Sequence, residues 1–236
     1  MMALPELNTA RYKVEIPSTG QIVTYRPYLV KEEKVLMMAM ETSDNKVIMN
    51  ATIDIIKSCI YDDVDIESLA MFDIETLFLT LRSKSVGETV DLNVKCEECG
   101  EGNEVNLDFD DIKAPVVTED EKQIMLTDDV GVVLKYPSVK DIEKLSNIGD
   151  DNVESAMKMI IACIDSIFDA ENVHAASEET PKALNDFIES LNNEQFTRLS
   201  EFFNDIPALT GNISFNCNKC GKENAQELRG LQSFFT

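Results

Sequence analysis

Two short stretches constrain this chain more than anything else in it. Lys95-Cys96-Glu97-Glu98-Cys99-Gly100 and Asn216-Cys217-Asn218-Lys219-Cys220-Gly221 each place two cysteines three positions apart, ahead of a glycine. A Cys-x-x-Cys-Gly turn wraps both sulfurs around one side of a metal ion, and the glycine relieves the backbone where the turn tightens. Two such turns supply the four thiolates of a tetrahedral zinc site. The expected ligands are Cys96, Cys99, Cys217 and Cys220, with one structural zinc per chain. The rest of the fold must then bring together turns that are 117 residues apart. The entropy of closing a loop grows only with the logarithm of its length, so this separation is tolerable if the intervening chain folds. Two other readings of the four cysteines stay open: a redox pair in each turn, or turns that pair across chains.

Taken in order, residues 11–25 alternate polar and apolar about Pro17-Ser18-Thr19-Gly20, which predicts a β-hairpin. Helices are expected from Lys31 to Met40 and near 45–58. Asp65 is expected to cap a short helix at 66–70, and Asp73 to cap one carrying Ile74, Leu77, Phe78 and Leu81. Thr89 to Val94 and residues 103–109 read as strands either side of the first cysteine turn. After an acidic stretch at 110–123, Val130 to Tyr136 is strand-like. Ser138 and Asp141 resemble a capping box, and a helix follows near 152–164. Thr180-Pro181 opens another helix, one more spans about 194–204, and Asn212 to Phe215 lead into the second turn.

The order of elements repeats. Tyr25-Arg26-Pro27-Tyr28-Leu29-Val30-Lys31 is echoed by Lys135-Tyr136-Pro137-Ser138-Val139-Lys140 with one residue of slack, and Ile56-x-x-Cys59-Ile60 by Ile160-x-x-Cys163-Ile164. The expected architecture is α+β, in two repeated halves. Each half runs strand or strands, helices, then a β-hairpin with a zinc knuckle at its tip. Residues 1–109 form the first half, 110–123 an acidic linker and 124–236 the second half. Cys59 and Cys163 lie singly in apolar helical runs and read as small buried hydrophobes.

Charge narrows the function classes. The formal net charge is −23, and residues 101–130 hold ten acidic and two basic side chains, whereas residues 1–42 hold five of each. So acidic a surface repels phosphate backbones, which argues against nucleic-acid partners. No apolar run reaches the roughly 20 residues of a membrane span. The N-terminus lacks the pattern of a signal peptide, so an intracellular location, with reduced thiols, is expected. The single histidine, His174, falls in a polar stretch read as a loop. No Ser-His-Asp or Cys-His arrangement, phosphate loop or His-Glu-x-x-His motif is present. A closed four-cysteine site also leaves no open coordination position. Neither enzymatic activity nor a small-molecule substrate is expected.

Longer strings add a resemblance. Residues 8–20 (Asn8 to Gly20), Tyr25 to Leu36, Ala70-Met-Phe-Asp-Ile-Glu75 and Arg82-Ser-Lys-Ser-Val-Gly-Glu88 resemble the baseplate hub subunit family of T-even-type contractile-tailed bacteriophages. The likeness covers most of the chain and is strongest over 4–100. It implies a structural or assembly protein of the tail-baseplate hub, found in the host cytoplasm during assembly or in the virion tail baseplate, whose partners are other baseplate hub proteins. It brings no catalytic residues. Within the charge-balanced N-terminal region, Arg11, Tyr12, Lys13, Arg26, Tyr28 and Leu29 are the expected partner contacts. Replacing Arg26 with Glu and Tyr28 with Ala is expected to weaken partner binding and spare folding. The alternative function is a zinc-ribbon regulatory protein touching nucleic acid or polymerase, which the acidic first turn and the absence of tryptophan disfavour.

Overall fold

Alternation about residues 16–21 yields the first hairpin, with β1 (Tyr12–Glu15) antiparallel to β2 (Ile22–Tyr25). The computed structural model describes residues 9–117, 122–146 and 153–234. The chain divides into two compact units. One holds the described parts of Met1–Ile66, Phe72–Pro115 and Ala208–Thr236; the other comprises Glu67–Met71 and the described parts of Val116–Pro207. This division cuts across the sequence halves, because the hairpin with the second cysteine turn lies in the same unit as the first. Four residues of the expected linker, 118–121, and Asn152 of the expected helix lie outside the described residues.

In the first unit, α1 (Val30–Glu41) and α2 (Asn45–Cys59) follow the hairpin. Asp44 caps α2 by accepting from the Lys46 and Val47 N–H groups. α2 buries Ile53, Ile55, Ile56 and Cys59, whereas α1 buries only Glu32 and Ala39. α3 (Met71–Ser85) begins two residues before Asp73, so Asp73 does not cap it as the sequence suggested. The Asp73 side chain is fully buried and accepts the Ser18 N–H at 2.9 Å. The helix expected at 66–70 is a 3-10 turn over Ile66–Ser68.

Two further hairpins complete this unit: β3 (Thr89–Lys95) with β4 (Gly102–Asp108), and β9 (Thr210–Asn216) with β10 (Glu223–Arg229). Their registers are identical when shifted by 121 positions. Thr89 faces Asp108 and Lys95 faces Gly102, as Thr210 faces Arg229 and Asn216 faces Glu223. The hairpins share one apolar core of Leu79, Leu92, Leu107, Phe109, Ile112, Leu209 and Ile213. The start of the expected linker is part of that core: Phe109–Asp111 form a 3-10 turn, Ile112 is buried and Lys113 bridges Thr210.

In the second unit, β5 (Gln123–Met125), β6 (Gly131–Leu134), β7 (Ile164–Phe168) and β8 (Val173–Ala175) make a four-stranded antiparallel sheet. It is accompanied by α4 (Val139–Ser146), α5 (Val153–Cys163), α6 (Pro181–Glu189) and α7 (Asn193–Asn204). Thr180 caps α6 through the Ala183 N–H, with Pro181 in the first turn. The helix expected to reach 164 stops at Cys163, and His174 lies on a strand rather than a loop. It is half exposed, with Nδ1 3.6 Å from Glu179 Oε1.

The strand–helix junctions of the two units share fine detail. The Arg26 N–H donates to Cys59 O at 3.0 Å, and the Lys135 N–H to Cys163 O at 2.8 Å. Tyr25 pairs with Ile60 as Leu134 pairs with Ile164. The Leu29 N–H donates to the Glu32 carboxylate at 2.7 Å, and the Ser138 N–H to the Asp141 carboxylate at 3.2 Å. Both carboxylates are buried. Cys59 and Cys163 are buried as expected, and desolvation pushes their thiols up to about 11 and about 12.

Candidate metal centre

Each cysteine turn is built by the hairpin beneath it. The Cys96 N–H donates to Glu101 O at 2.8 Å and the Gly100 N–H to Cys96 O at 2.9 Å; the Cys217 N–H to Lys222 O and the Gly221 N–H to Cys217 O repeat those distances. Gly100 and Gly221 take φ of +70° and +75°, a region that costs side-chain-bearing residues energy.

The two turns meet. Cys96 Sγ lies 3.7 Å from Cys220 Sγ, and Cys99 Sγ lies 3.6 Å from Cys217 Sγ. All four sulfurs fall within 4.8 Å of one another. These are thiols, not disulfides, since a bonded pair would be about 2.05 Å apart. A tetrahedral ion with metal–sulfur bonds of about 2.3 Å needs sulfurs about 3.8 Å apart, so the spacing suits such an ion. Cys96 and Cys217 are buried, while Cys99 and Cys220 are exposed.

Local hydrogen bonding sorts the four thiols by position in the turn. Cys96 is held below the ordinary thiol value by the N–H groups of Cys99 and then Glu98. Cys217 is held down to about 6 by those of Cys220 and Lys219. At Cys99 the Glu101 N–H acts to lower the pKa, but partial desolvation and the three neighbouring sulfurs outweigh it and push the thiol up to about 12. At Cys220 the Lys222 N–H is likewise outweighed by partial desolvation and by the Cys217 and Cys96 sulfurs. The first cysteine of each turn is therefore the readier thiolate.

Two asparagines that sequence reasoning passed over support the cluster from inside. Asn103 is 2% exposed and Asn224 3%. Asn103 Nδ2 lies 3.8 Å from Cys217 Sγ and donates to Glu101 O at 2.8 Å, and its Oδ1 accepts the Asn218 N–H at 2.8 Å. Asn224 Nδ2 lies 3.5 Å from Cys96 Sγ and donates to Lys222 O at 2.9 Å, and its Oδ1 accepts the Glu97 N–H at 3.1 Å. Each asparagine reaches across to the opposite turn. The available signal was their equal placement, three residues beyond each glycine. Exposed ion pairs also cross between the turns: Lys219 with Glu101 at 2.8 Å and Lys222 with Glu98 at 3.1 Å.

The expected partner contacts do not share one environment. Arg11, Tyr12, Lys13 and Leu29 are exposed, with the Arg11 guanidinium 4.4 Å above the Tyr61 ring. Arg26 and Tyr28 are not surface residues. The Arg26 side chain is 12% exposed and holds Glu32 at 3.0 Å, while Tyr28 is 6% exposed. Their polar atoms serve internal hydrogen bonds, so substituting them perturbs the fold. Apolar exposure concentrates instead on α1, at Val30, Val35, Met37, Met38 and Met40.

With this geometry in hand, comparison with known proteins places the chain. The profile of the T4 bacteriophage base plate protein family matches residues 9–236. The chain belongs to that family. It is 26% identical to the "Baseplate hub assembly protein gp26" of Enterobacteria phage T4 over 238 residues, covering 95% of this chain and 97% of that one. No solved structure matches it. Among the described residues, no helix is long and apolar enough to cross a membrane.

Proposed function

We propose that this base plate family protein acts in assembly of the phage tail baseplate hub. It works through contacts with other hub proteins rather than by catalysis, in the host cytoplasm or in the tail baseplate itself. The observation that carries this is the family match over nearly the whole chain, together with a relative named for hub assembly along 97% of its length. We further assign one structural zinc per chain to Cys96, Cys99, Cys217 and Cys220. Four-sulfur coordination and the measured spacing support that choice. Bound there, the ion would supply a crosslink between hairpins and no open coordination position. The acidic side chains of the first knuckle, Glu97, Glu98 and Glu101, speak against a nucleic-acid role.

A duplicated ancestry accounts for the arrangement: a strand–helix–knuckle unit copied once, with each copy contributing half of the metal ligands. The shared hairpin register and the equivalent bonds Arg26 to Cys59 and Lys135 to Cys163 support it. For the contact with hub proteins we retain Arg11, Tyr12, Lys13 and Leu29. To them we add the exposed methionines of α1, whose flexible thioethers suit an apolar partner surface. Co-expression with hub proteins of the same phage tests this. Met37→Glu with Met40→Glu should abolish co-purification, whereas Val173→Glu, on β8, should leave it intact. Unchanged recovery of the double variant would remove α1 from the contact.

A further inference from the structure

Each buried asparagine beside the cysteine cluster uses its whole amide. One oxygen and two N–H groups meet one backbone N–H, one backbone carbonyl and one sulfur. That network fixes the orientation of the amide, because a flipped amide would put its oxygen against a carbonyl and a thiolate. The donors are crossed. Asn103 stands on β4, yet its sulfur belongs to Cys217 on the other hairpin; Asn224 stands on β10 and reaches Cys96. Both targets are the buried cysteine of their turn. A turn-fixing role alone would be satisfied within one hairpin.

We propose that Asn103 and Asn224 are crossed positioning residues for the metal. Each holds the buried thiolate of the opposite knuckle and offsets part of its charge. The proposal rests on the metal assignment made above. Four thiolates around a divalent cation leave a net charge of −2, carried in part by two buried sulfurs. N–H donors to sulfur lower the cost of keeping that charge there, as outer-shell partners do at metal sites generally. Each buried cysteine takes backbone N–H groups from its own turn, and because the asparagine donors are crossed, its last donor comes only from the other knuckle. The ligand set is complete only when both hairpins are docked.

The first test uses the unaltered protein loaded with cadmium-113, which takes the same thiolate ligands. Scalar coupling between the metal and the side-chain amide protons of both Asn103 and Asn224, transmitted through N–H···S bonds, is expected in proton–cadmium correlation spectra. Cadmium bound without that coupling overturns the proposal and leaves the metal site standing. No cadmium bound at all overturns the metal site itself, and this proposal with it.

The second test compares Asn103→Asp with Asn103→Ala, titrating cobalt(II) against a competing chelator. Asp keeps the volume and the acceptor for the Asn218 N–H but has no N–H to give to Cys217. If the donor to sulfur matters, Asp binds cobalt more weakly than Ala. Both variants then fall about 10- to 100-fold below the unaltered protein, with the sulfur-to-cobalt charge-transfer band moved to longer wavelength. If the asparagine only fixes the turn, Asp rescues binding relative to Ala and the band stays in place, which overturns the proposal. The same comparison at Asn224 should give the same order.

Discussion

Arg26 gives the most direct measure of how the N-terminal region is held together. Its Nη2 donates to Glu32 Oε1 at 3.0 Å and to Ser58 O at 3.0 Å, and its Nη1 to Pro27 O at 3.0 Å. The two side chains are 12% and 8% exposed. Removing one member of a buried ion pair costs about 3–5 kcal/mol, because the other charge is stranded. Glu32 would keep two partners, the Leu29 N–H at 2.7 Å and Lys31 Nζ at 3.3 Å. Arg26→Ala is therefore placed at the low end, about 3 kcal/mol. Four of the five tyrosines (Tyr12, Tyr25, Tyr28 and Tyr61) lie in the first unit and there is no tryptophan, so tyrosine fluorescence during urea unfolding follows that unit.

A double-mutant cycle with Glu32→Gln isolates the pair, and a coupling of about 2 kcal/mol is expected. The pH dependence supplies a second check. Burial acts to raise the Glu32 pKa, but the bond from Arg26, then those from the Leu29 N–H and Lys31, outweigh it and hold it below the ordinary value. A lowered carboxyl pKa contributes stability above the unfolded value, and that stability is lost as pH falls through the folded one. Without Arg26, part of that lowering is lost and only the Leu29 N–H and Lys31 oppose burial. The deficit of Arg26→Ala should therefore stay constant above the ordinary carboxyl value of 4.5 and shrink as pH falls below it. A deficit under about 0.5 kcal/mol at pH 7.5, the ordinary range for a surface substitution, or a coupling near zero, would refute this account of the N-terminal region.

Other expectations follow from the cysteine hairpins and the buried thiols. If the proposed metal is bound, chelation or Cys217→Ser should lower the tyrosine-monitored midpoint while leaving amide-exchange protection in β6 and β7 unchanged, because all four cysteines lie in one unit; an unchanged midpoint would count against the metal. Ile213→Ala, in the core shared by the hairpins, should cost about 2–5 kcal/mol by urea unfolding even in metal-free protein. Gly221→Ala meets no atom within 4 Å but must hold φ of +75°, so it should cost about 1–2 kcal/mol through backbone strain alone. Cys59 and Cys163, with thiols raised to about 11 and about 12, should resist alkylation in native protein at pH 8 and react on unfolding; rapid native labelling would contradict their burial.

What the sequence made legible was local. The hairpins about the cysteine turns, the Thr180-Pro181 helix start and the Ser138–Asp141 cap depend on neighbours a few residues apart, and they appear where periodicity and cap chemistry put them. The misplaced residues depend on distant partners. Asp73 looked like a cap because nothing nearby shows that Ser18, 55 positions earlier, needs its carboxylate. Arg26 and Tyr28 looked like contact residues because a cation and an aromatic beside a proline resemble surface, whereas Glu32 and Ser58 O hold the Arg26 guanidinium inward and the Tyr28 ring is buried. β7 was hidden because the apolar run of α5 continues into Ile164 with no break in composition. Asn103 and Asn224 read as ordinary strand residues, since only the docked hairpins show what their amides face.

Charge also bears on how the two knuckles pair. Under the 121-residue shift, Glu98 corresponds to Lys219 and Glu101 to Lys222, so these two acids of the first knuckle have a base at the equivalent position, whereas Glu97 corresponds to Asn218. The observed pairs are crossed in the same way as the asparagines, Glu98 with Lys222 and Glu101 with Lys219. Two identical knuckles facing each other about a metal would set like charges together at both places. Exposed pairs add only about 0–1 kcal/mol each, too little to account for the fold. Their larger effect is on the choice of partner: two first knuckles from different copies would bring four glutamates together, and two second knuckles four lysines. Opposite charging of the equivalent positions therefore favours a first knuckle meeting a second knuckle over the pairing of two like knuckles.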